Sequence, residues 1–352
     1  MFAACPDSVS YLAHFNRKAL EQHTPLAGCL DLTHDCNLRC IHCYVSSASR
    51  STDEEMTTGQ VTSVLDQITE AGCLFLLISG GEPLARPDFA ALFVHAKRKG
   101  LLVTVFTNAV LADERLAHLF QEWPPQAVEV SIYGAAPEIH DRVTGVAGSF
   151  ERAMAGVRRL LDHHVNVKLK TVLMSVNRHE LSAMRRLAET LGVSFRMDAA
   201  IFPRLDGDRA PLQWRLPAEE AVAAEFAEES RMREWKRFLD RIRMPTGERL
   251  YNCGAGVSSF YIDPRGVLQP CLMTMDMRYS LLDGRFAEGW RRIGAQIAGK
   301  AAARESICTA CSRRTACGYC PGFFRLETGD EREPARYLCQ LGEERLARLK
   351  AI

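Results

Sequence analysis

Cys36, Cys40 and Cys43 fall in one short loop, Thr33 to Tyr44, with three and then two residues between them. Thiolates at that spacing can converge on one face of a soft metal centre and leave a fourth corner without a cysteine, where chemistry can happen. Taken alone, the loop suits zinc, a structural cluster or a reactive iron–sulfur cluster, and His34 or His42 can complete a zinc site. A second group lies far downstream: Cys253, Cys271, Cys308, Cys311, Cys317, Cys320 and Cys339. These seven thiols are too many for one tetrahedral site and suit two clusters, one of them a ligand short. The alternative is a zinc ribbon on Cys308, Cys311, Cys317 and Cys320, whose five-residue loop is short for a ribbon.

The whole chain frames these groups. Its 352 residues are long enough for two domains or for one barrel with an extension. With 44 basic and 43 acidic residues the formal charge is +1, which calls for neither nucleic acid nor an anionic membrane as partner. Residues 1–28 carry Asp7, Arg17, Lys18 and Glu21 and so lack the apolar core of a signal peptide. The expectation is a cytoplasmic protein, with no stretch apolar enough to cross a bilayer. Thirteen cysteines in such a chain argue against a disulfide framework and for metal ligation. Cys5, Cys29 and Cys73 lie outside both groups; Cys29 and Cys73 read as small buried hydrophobes.

Strand and helix patterns alternate around the first group. A helix over Tyr11 to Gln22 precedes a brief strand, Leu30 to Leu32, that delivers the loop. Thr57 and Gln60 can form a capping box, and Val61, Val64, Leu65 and Ile68 keep helical spacing. Cys73 to Ile78 is apolar without alternation, as in a strand buried on both faces of a parallel sheet. Helices over Pro87–Lys99, Asp113–Gln121, Ser149–Leu161 and Glu180–Leu191 then alternate with strands over Leu101–Phe106, Val128–Ile132, Val165–Met174 and Val193–Met197. Ser149 is expected to cap its helix. Six such repeats predict an α/β fold, a parallel sheet curled into a partial (β/α)6 barrel with residues presented at the strand ends. From Asp198 the regularity breaks, and Pro217 to Leu239 reads as one amphipathic bridging helix.

After the second strand comes Ser79-Gly80-Gly81-Glu82-Pro83, where paired glycines allow close backbone approach to a ligand and Glu82 offers a carboxylate for an ammonium group. Together the cysteine loop and this turn resemble the radical S-adenosylmethionine (SAM) enzymes over residues 28–200. By that resemblance Cys36, Cys40 and Cys43 hold a [4Fe–4S] cluster whose unique iron binds SAM. Gly80, Gly81, Glu82 and Pro83 contact the methionine amino group. Asn108 and Ser131, at strand ends, can bond the ribose or the methionine carboxylate, which Arg142 can also meet. Lys170 is expected to point inward to a carboxylate or to SAM. Asp198 can accept a proton from substrate, and Arg204 and Asp206 sit on the same mouth loop.

The downstream group is similar to the SPASM extension, a small cysteine-rich α+β auxiliary-cluster domain of peptide-modifying radical SAM enzymes. That resemblance assigns Cys253, Cys271 and Cys320 to an inner cluster and Cys308, Cys311, Cys317 and Cys339 to an outer one. One departure is that two residues, not three, separate Cys317 from Cys320. The expected organisation is an N-terminal helical segment 1–27, the barrel 28–200, a bridge 201–250 and the auxiliary domain 251–352. The expected function is cleavage of SAM to a 5′-deoxyadenosyl radical that crosslinks, oxidises or epimerises a ribosomally made peptide or protein. Expected partners are that substrate, a small leader-binding protein and a flavodoxin or ferredoxin. The alternative is a small-molecule or cofactor-biosynthesis enzyme of dehydrogenase or tetrapyrrole-modifying type.

Overall fold

Nine strands form one sheet in the order β6-β5-β4-β3-β2-β1-β7-β8-β9. They are β1 (Ala27–Asp31), β2 (Phe75–Ser79), β3 (Leu102–Thr107), β4 (Ala127–Ser131), β5 (Val167–Val172), β6 (Ser194–Asp198), β7 (Ser259–Ile262), β8 (Val267–Gln269) and β9 (Tyr279–Ser280). β1 to β6 pair in parallel, each with its neighbour in sequence. The computed structural model describes residues 15, 17–46, 50, 54–241, 249–301 and 307–350. Cys5 and residues 11–14 of the expected first helix lie outside these; residues 17–21 are helical.

Parallel strands need crossovers, and helices supply them. These are α1 (Thr58–Glu70), α2 (Phe89–Arg98), α3 (Glu114–Glu122), α4 (Pro137–Thr144), α5 (Ser149–Asp162) and α6 (Leu181–Thr190). Thr57 and Gln60 form the capping box, and α1 buries Val61, Val64, Leu65 and Ile68. Those residues join the inner faces of α2 and α5 and the buried strand residues in one core.

Three expectations need correction. α4 is an additional helix, started by Pro137 and ended by Gly145 in a left-handed conformation (φ 69°). Ser149 is the first residue of α5 and not its cap; the capping is done by Asp141, whose Oδ1 accepts from Phe150 N and Ser149 Oγ and Oδ2 from Gly148 N. The bridging helix is two helices, α7 (Ala218–Glu225) and α8 (Glu229–Arg241). Neither Gly nor Pro marks that break. Phe226 turns inward there, edge-on to Trp235 at 6.3 Å, and the Trp235 indole donates to Glu225 Oε1 (2.6 Å).

The C-terminal segment is built onto the barrel. β7 pairs in parallel with β1 on the edge opposite β2, and β8 and β9 add antiparallel strands. Gly28 admits this pairing: a Cβ there would fall 2.2 Å from the Phe260 ring. Phe260 packs against Phe286 and Trp290 of α9 (Phe286–Gly299), at 5.0 and 6.2 Å between ring centroids. α10 (Pro321–Thr328) and α11 (Arg336–Lys350) complete the chain, with Arg345 of α11 bonded to Glu225 of α7 (2.8 Å). Their buried residues belong to the same hydrophobic core as the barrel. Among the described residues no helix is long and apolar enough to cross a membrane.

Candidate active site

The cysteine loop leaves β1 and is fastened on three sides. Gly81 N donates to Thr33 O (2.7 Å) and Glu82 N to Asp35 O (2.8 Å). Arg39 N and Ile41 N donate to Thr144 O (2.8 Å) and Val143 O (3.0 Å) at the end of α4. From the mouth loop, Leu205 N reaches Tyr44 O (3.0 Å) and Arg204 Nε reaches Cys43 O (3.3 Å). Arg204 also pairs with Asp208, while Asp206 accepts from Asp208 N, so these two charges shape the loop. With its backbone groups tied down in this way, the loop has little freedom to vary its shape.

The paired glycines make their close approach to this loop. A Cβ at Gly80 would lie 2.2 Å from Thr33 O, and one at Gly81 2.2 Å from Asp35 O. Both glycines also border the cavity below the loop. Glu82 and Pro83 do not. The Glu82 carboxylate is fully buried and accepts from Thr107 Oγ1 (2.7 Å), Leu84 N (3.1 Å) and Asn108 N (2.7 Å), joining the ends of β2 and β3. Burial pushes its carboxyl up to about 7, against the three donors that hold it down. An amide at this position would set its NH2 against a donor. Glu82→Gln is therefore expected to destabilise the fold by ~1–3 kcal/mol in denaturant titration, with a loss below ~0.5 kcal/mol contradicting this role.

Cys36, Cys40 and Cys43 border a cavity of about 700 Å³, a size suited to a small-molecule ligand. Burial, and then the neighbouring thiolates, push the Cys40 thiol up; burial takes Cys36 up to about 11. Thiols that repel one another in a dry site need a cation to ionise, which an iron–sulfur core supplies. Among the described residues three metal-ligating atoms lie within 4.8 Å of one another only at Glu114, His118 and His163. There Arg159 already brings a cation to Glu114 (3.5 Å). The three Sγ atoms of the cysteine trio thus do not all lie within 4.8 Å of one another, wider than one zinc ion would gather them.

Asn108, Ser131, Lys170 and Asp198 also border the cavity. Asn108 Nδ2 donates to Asn37 Oδ1 (2.8 Å) within the cysteine loop. Lys170 lies over the Phe106 ring, and burial, opposed by Glu129, lowers its affinity for a proton. Asp198 is exposed, with Oδ1 accepting from Ala200 N (2.8 Å). Arg142 is exposed on α4 and does not border the cavity, so the structure does not bring it to the site.

Sequence reasoning missed Asp31 and Tyr261, which border the cavity, and read His42 only as a residue that could complete a zinc site. Asp31, 1% exposed, accepts from the Tyr261 hydroxyl of β7 (2.7 Å). A charged residue inside the apolar run Leu30-Asp31-Leu32 was the available signal; its partner, 230 positions away, left none. His42 packs edge-on against Tyr133 (4.7 Å), its Nδ1 buried without a hydrogen-bond partner. Burial holds its ring at about 4, hence neutral.

Burial raises the Asp31 carboxyl from 3.8 to about 7, opposed by the Tyr261 hydrogen bond. A raised acid favours the protonated fold, so this stability is complete below pH 3.8 and is lost as pH rises through about 7. Asp31→Asn is expected to flatten that decline in denaturant titrations across the window. An unchanged slope would contradict it.

The downstream thiols fall into two sets. Burial and then the thiols of Cys271 and Cys253 push Cys320 up to about 11. Burial and then Cys339, Cys308 and Cys311 push Cys317 up to about 11. Cys320 also caps α10, its Sγ accepting from Phe323 N (3.4 Å). Cys271 borders the same cavity as the first trio, as do Leu272 and Met273. No described cysteine is in a disulfide.

A curled parallel sheet with three cysteines at the end of its first strand is the architecture of a radical SAM domain. Residues 30–188 match the radical SAM superfamily, and this part of the chain is a domain of that family. The AdoMet-dependent heme synthase of Methanosarcina barkeri is 34% identical over 162 residues, 46% of each chain. The match thus spans about half the length of that relative. The mycofactocin maturase MftC of Mycobacterium ulcerans is 28% identical over 287 residues, 76% of this chain and 74% of the relative. In fold, the chain is similar to Streptococcus suis SuiB bound to its precursor peptide SuiA, with TM-score 0.72 and 15% identity over 97% of this chain and 83% of SuiB.

Proposed function

We propose that this protein is a radical SAM maturase that modifies a ribosomally made peptide or protein. One observation carries the reading: Cys271 of the downstream array borders the same cavity as Cys36, Cys40 and Cys43. A substrate held there would lie between a SAM-cleaving cluster and an auxiliary one. A cluster held by Cys36, Cys40 and Cys43 would supply the electron for reductive cleavage of SAM to methionine and a 5′-deoxyadenosyl radical, which would take a hydrogen atom from substrate.

In this reading the chain's residues hold and shape. Cys36, Cys40 and Cys43 ligate the first cluster; Cys253, Cys271 and Cys320 the inner auxiliary one; Cys308, Cys311, Cys317 and Cys339 the outer one. Gly80, Gly81, Asn108 and Ser131 offer backbone and side-chain polar atoms to SAM, with Glu82 fixing the turn behind them. Lys170 and Asp198 face the substrate space, where Asp198 is the candidate proton acceptor. An electron carrier of flavodoxin or ferredoxin type supplies electrons. Substrate recognition falls to the barrel mouth, the bridge or a leader-binding partner.

Support for a peptide substrate comes from the three-quarter-length similarity to the mycofactocin maturase. A second reading, tetrapyrrole modification, is favoured by the 34% identity with a heme synthase over the barrel half. Anaerobically reconstituted protein with SAM and dithionite decides between them. Formation of 5′-deoxyadenosine with a mass change in a candidate precursor peptide supports the first. Turnover of an iron porphyrin alone supports the second, and no 5′-deoxyadenosine overturns both.

A further inference from the structure

Arg314 presents a problem of charge. Its guanidinium is buried, the residue being 5% exposed, and Nε, Nη1 and Nη2 all lack a hydrogen-bond partner. A permanent cation with five donors is costly to bury in that condition. It stacks on the face of Tyr319, 4.1 Å from the ring centroid. The neighbouring Arg313 is half-exposed, pairs with Glu343 and has a side-chain hydrogen bond to Cys311, so its charge is already balanced where that of Arg314 is not.

The surroundings indicate what is meant to balance it. Arg314 lies in the loop between Cys311 and Cys317; its N–H donates to Cys311 O (3.2 Å), and its carbonyl accepts from Cys317 Sγ (3.4 Å). Backbone hydrogen bonds therefore hold Arg314 between two of the four cysteines assigned above to the outer cluster, Cys311 and Cys317. Four thiolates around a cubane leave a net negative charge and sulfur atoms able to accept N–H bonds.

We infer that Arg314 is a positioning and tuning residue for the outer cluster, its guanidinium donating hydrogen bonds to the cluster's sulfur atoms and raising its reduction potential. This rests on the auxiliary-cluster reading proposed above. Reduction adds one negative charge beside the cation, so the reduced form is favoured when the arginine is present.

The test is an EPR-monitored redox titration of the anaerobically reconstituted full chain, with iron counts. Arg314→Met is expected to move the outer cluster's midpoint to more negative potential, and Arg314→Lys to move it less. Unchanged midpoints in both variants at full iron content overturn the inference. If Arg314→Met fails to assemble its cluster, the Arg314→Lys midpoint decides, since a merely structural arginine would alter thermal stability and leave the potential where it was. The underlying reading fails separately: Cys308→Ala with Cys339→Ala would then leave iron content and the EPR signals unchanged.

Discussion

Changing Cys36, Cys40 and Cys43 together to alanine is expected to lower the iron content by about four per chain and to reduce 5′-deoxyadenosine formation to background. The downstream thiols belong to the C-terminal segment, where Cys317 Sγ donates to Arg314 O and Cys320 Sγ accepts from Phe323 N without any contribution from the trio. The variant should therefore keep its remaining iron and its fold. Iron analysis, circular dichroism and chromatography of the quenched reaction read these quantities independently. Persistent SAM cleavage would remove the trio from the chemistry. Zinc bound at one equivalent to the intact trio would do the same, because zinc has no redox chemistry.

The next largest effect is expected from one methyl group. In Gly81→Ala the new Cβ would meet Asp35 O at 2.2 Å, His34 O at 2.6 Å and Asp35 C at 2.8 Å. All three are backbone atoms, so no side chain can swing aside, and the cysteine loop itself must move. The strain is of the order of an overpacked core, ~1–3 kcal/mol, but it falls on the segment that sets the thiol geometry. The expected result is poor iron incorporation at the first site and severe loss of SAM cleavage, with secondary structure retained. Gly59→Ala is the control. A Cβ there meets nothing within 4 Å on α1, and it should be neutral or slightly stabilising. Equal behaviour of the two variants would disprove the clamp.

The glycine pair also shows where sequence reading stops. Its motif was legible, but one neighbour was not: spacing placed a ligand against the glycines, and the structure sets them beside the cavity and also hard against Thr33 and Asp35. Glu82 was read as facing the ligand, yet three donors from β3 and its own turn occupy its oxygens. The six strand–helix repeats were readable because strands covered on both faces leave uninterrupted apolar runs and amphipathic helices repeat every third or fourth residue. α4 escaped notice because eight residues give too little periodicity. The break between α7 and α8 comes from tertiary packing around Phe226, Trp235 and Glu225, which no local signal announces. Long-range pairings such as Asp31 with Tyr261 were hidden for the same reason.

The parallel seam between β1 and β7 bears on how such a chain can be taken apart. A fragment ending before residue 251 would carry β1 as a raw margin, the amide and carbonyl groups that face β7 along Ala27 to Leu30 stripped of their partners. An open margin of this kind recruits other strands and invites precipitation. The downstream cysteine array therefore arrives with the last plank of the sheet, and shortening the protein to its catalytic half would uncover the very strand that leads into the cysteine loop.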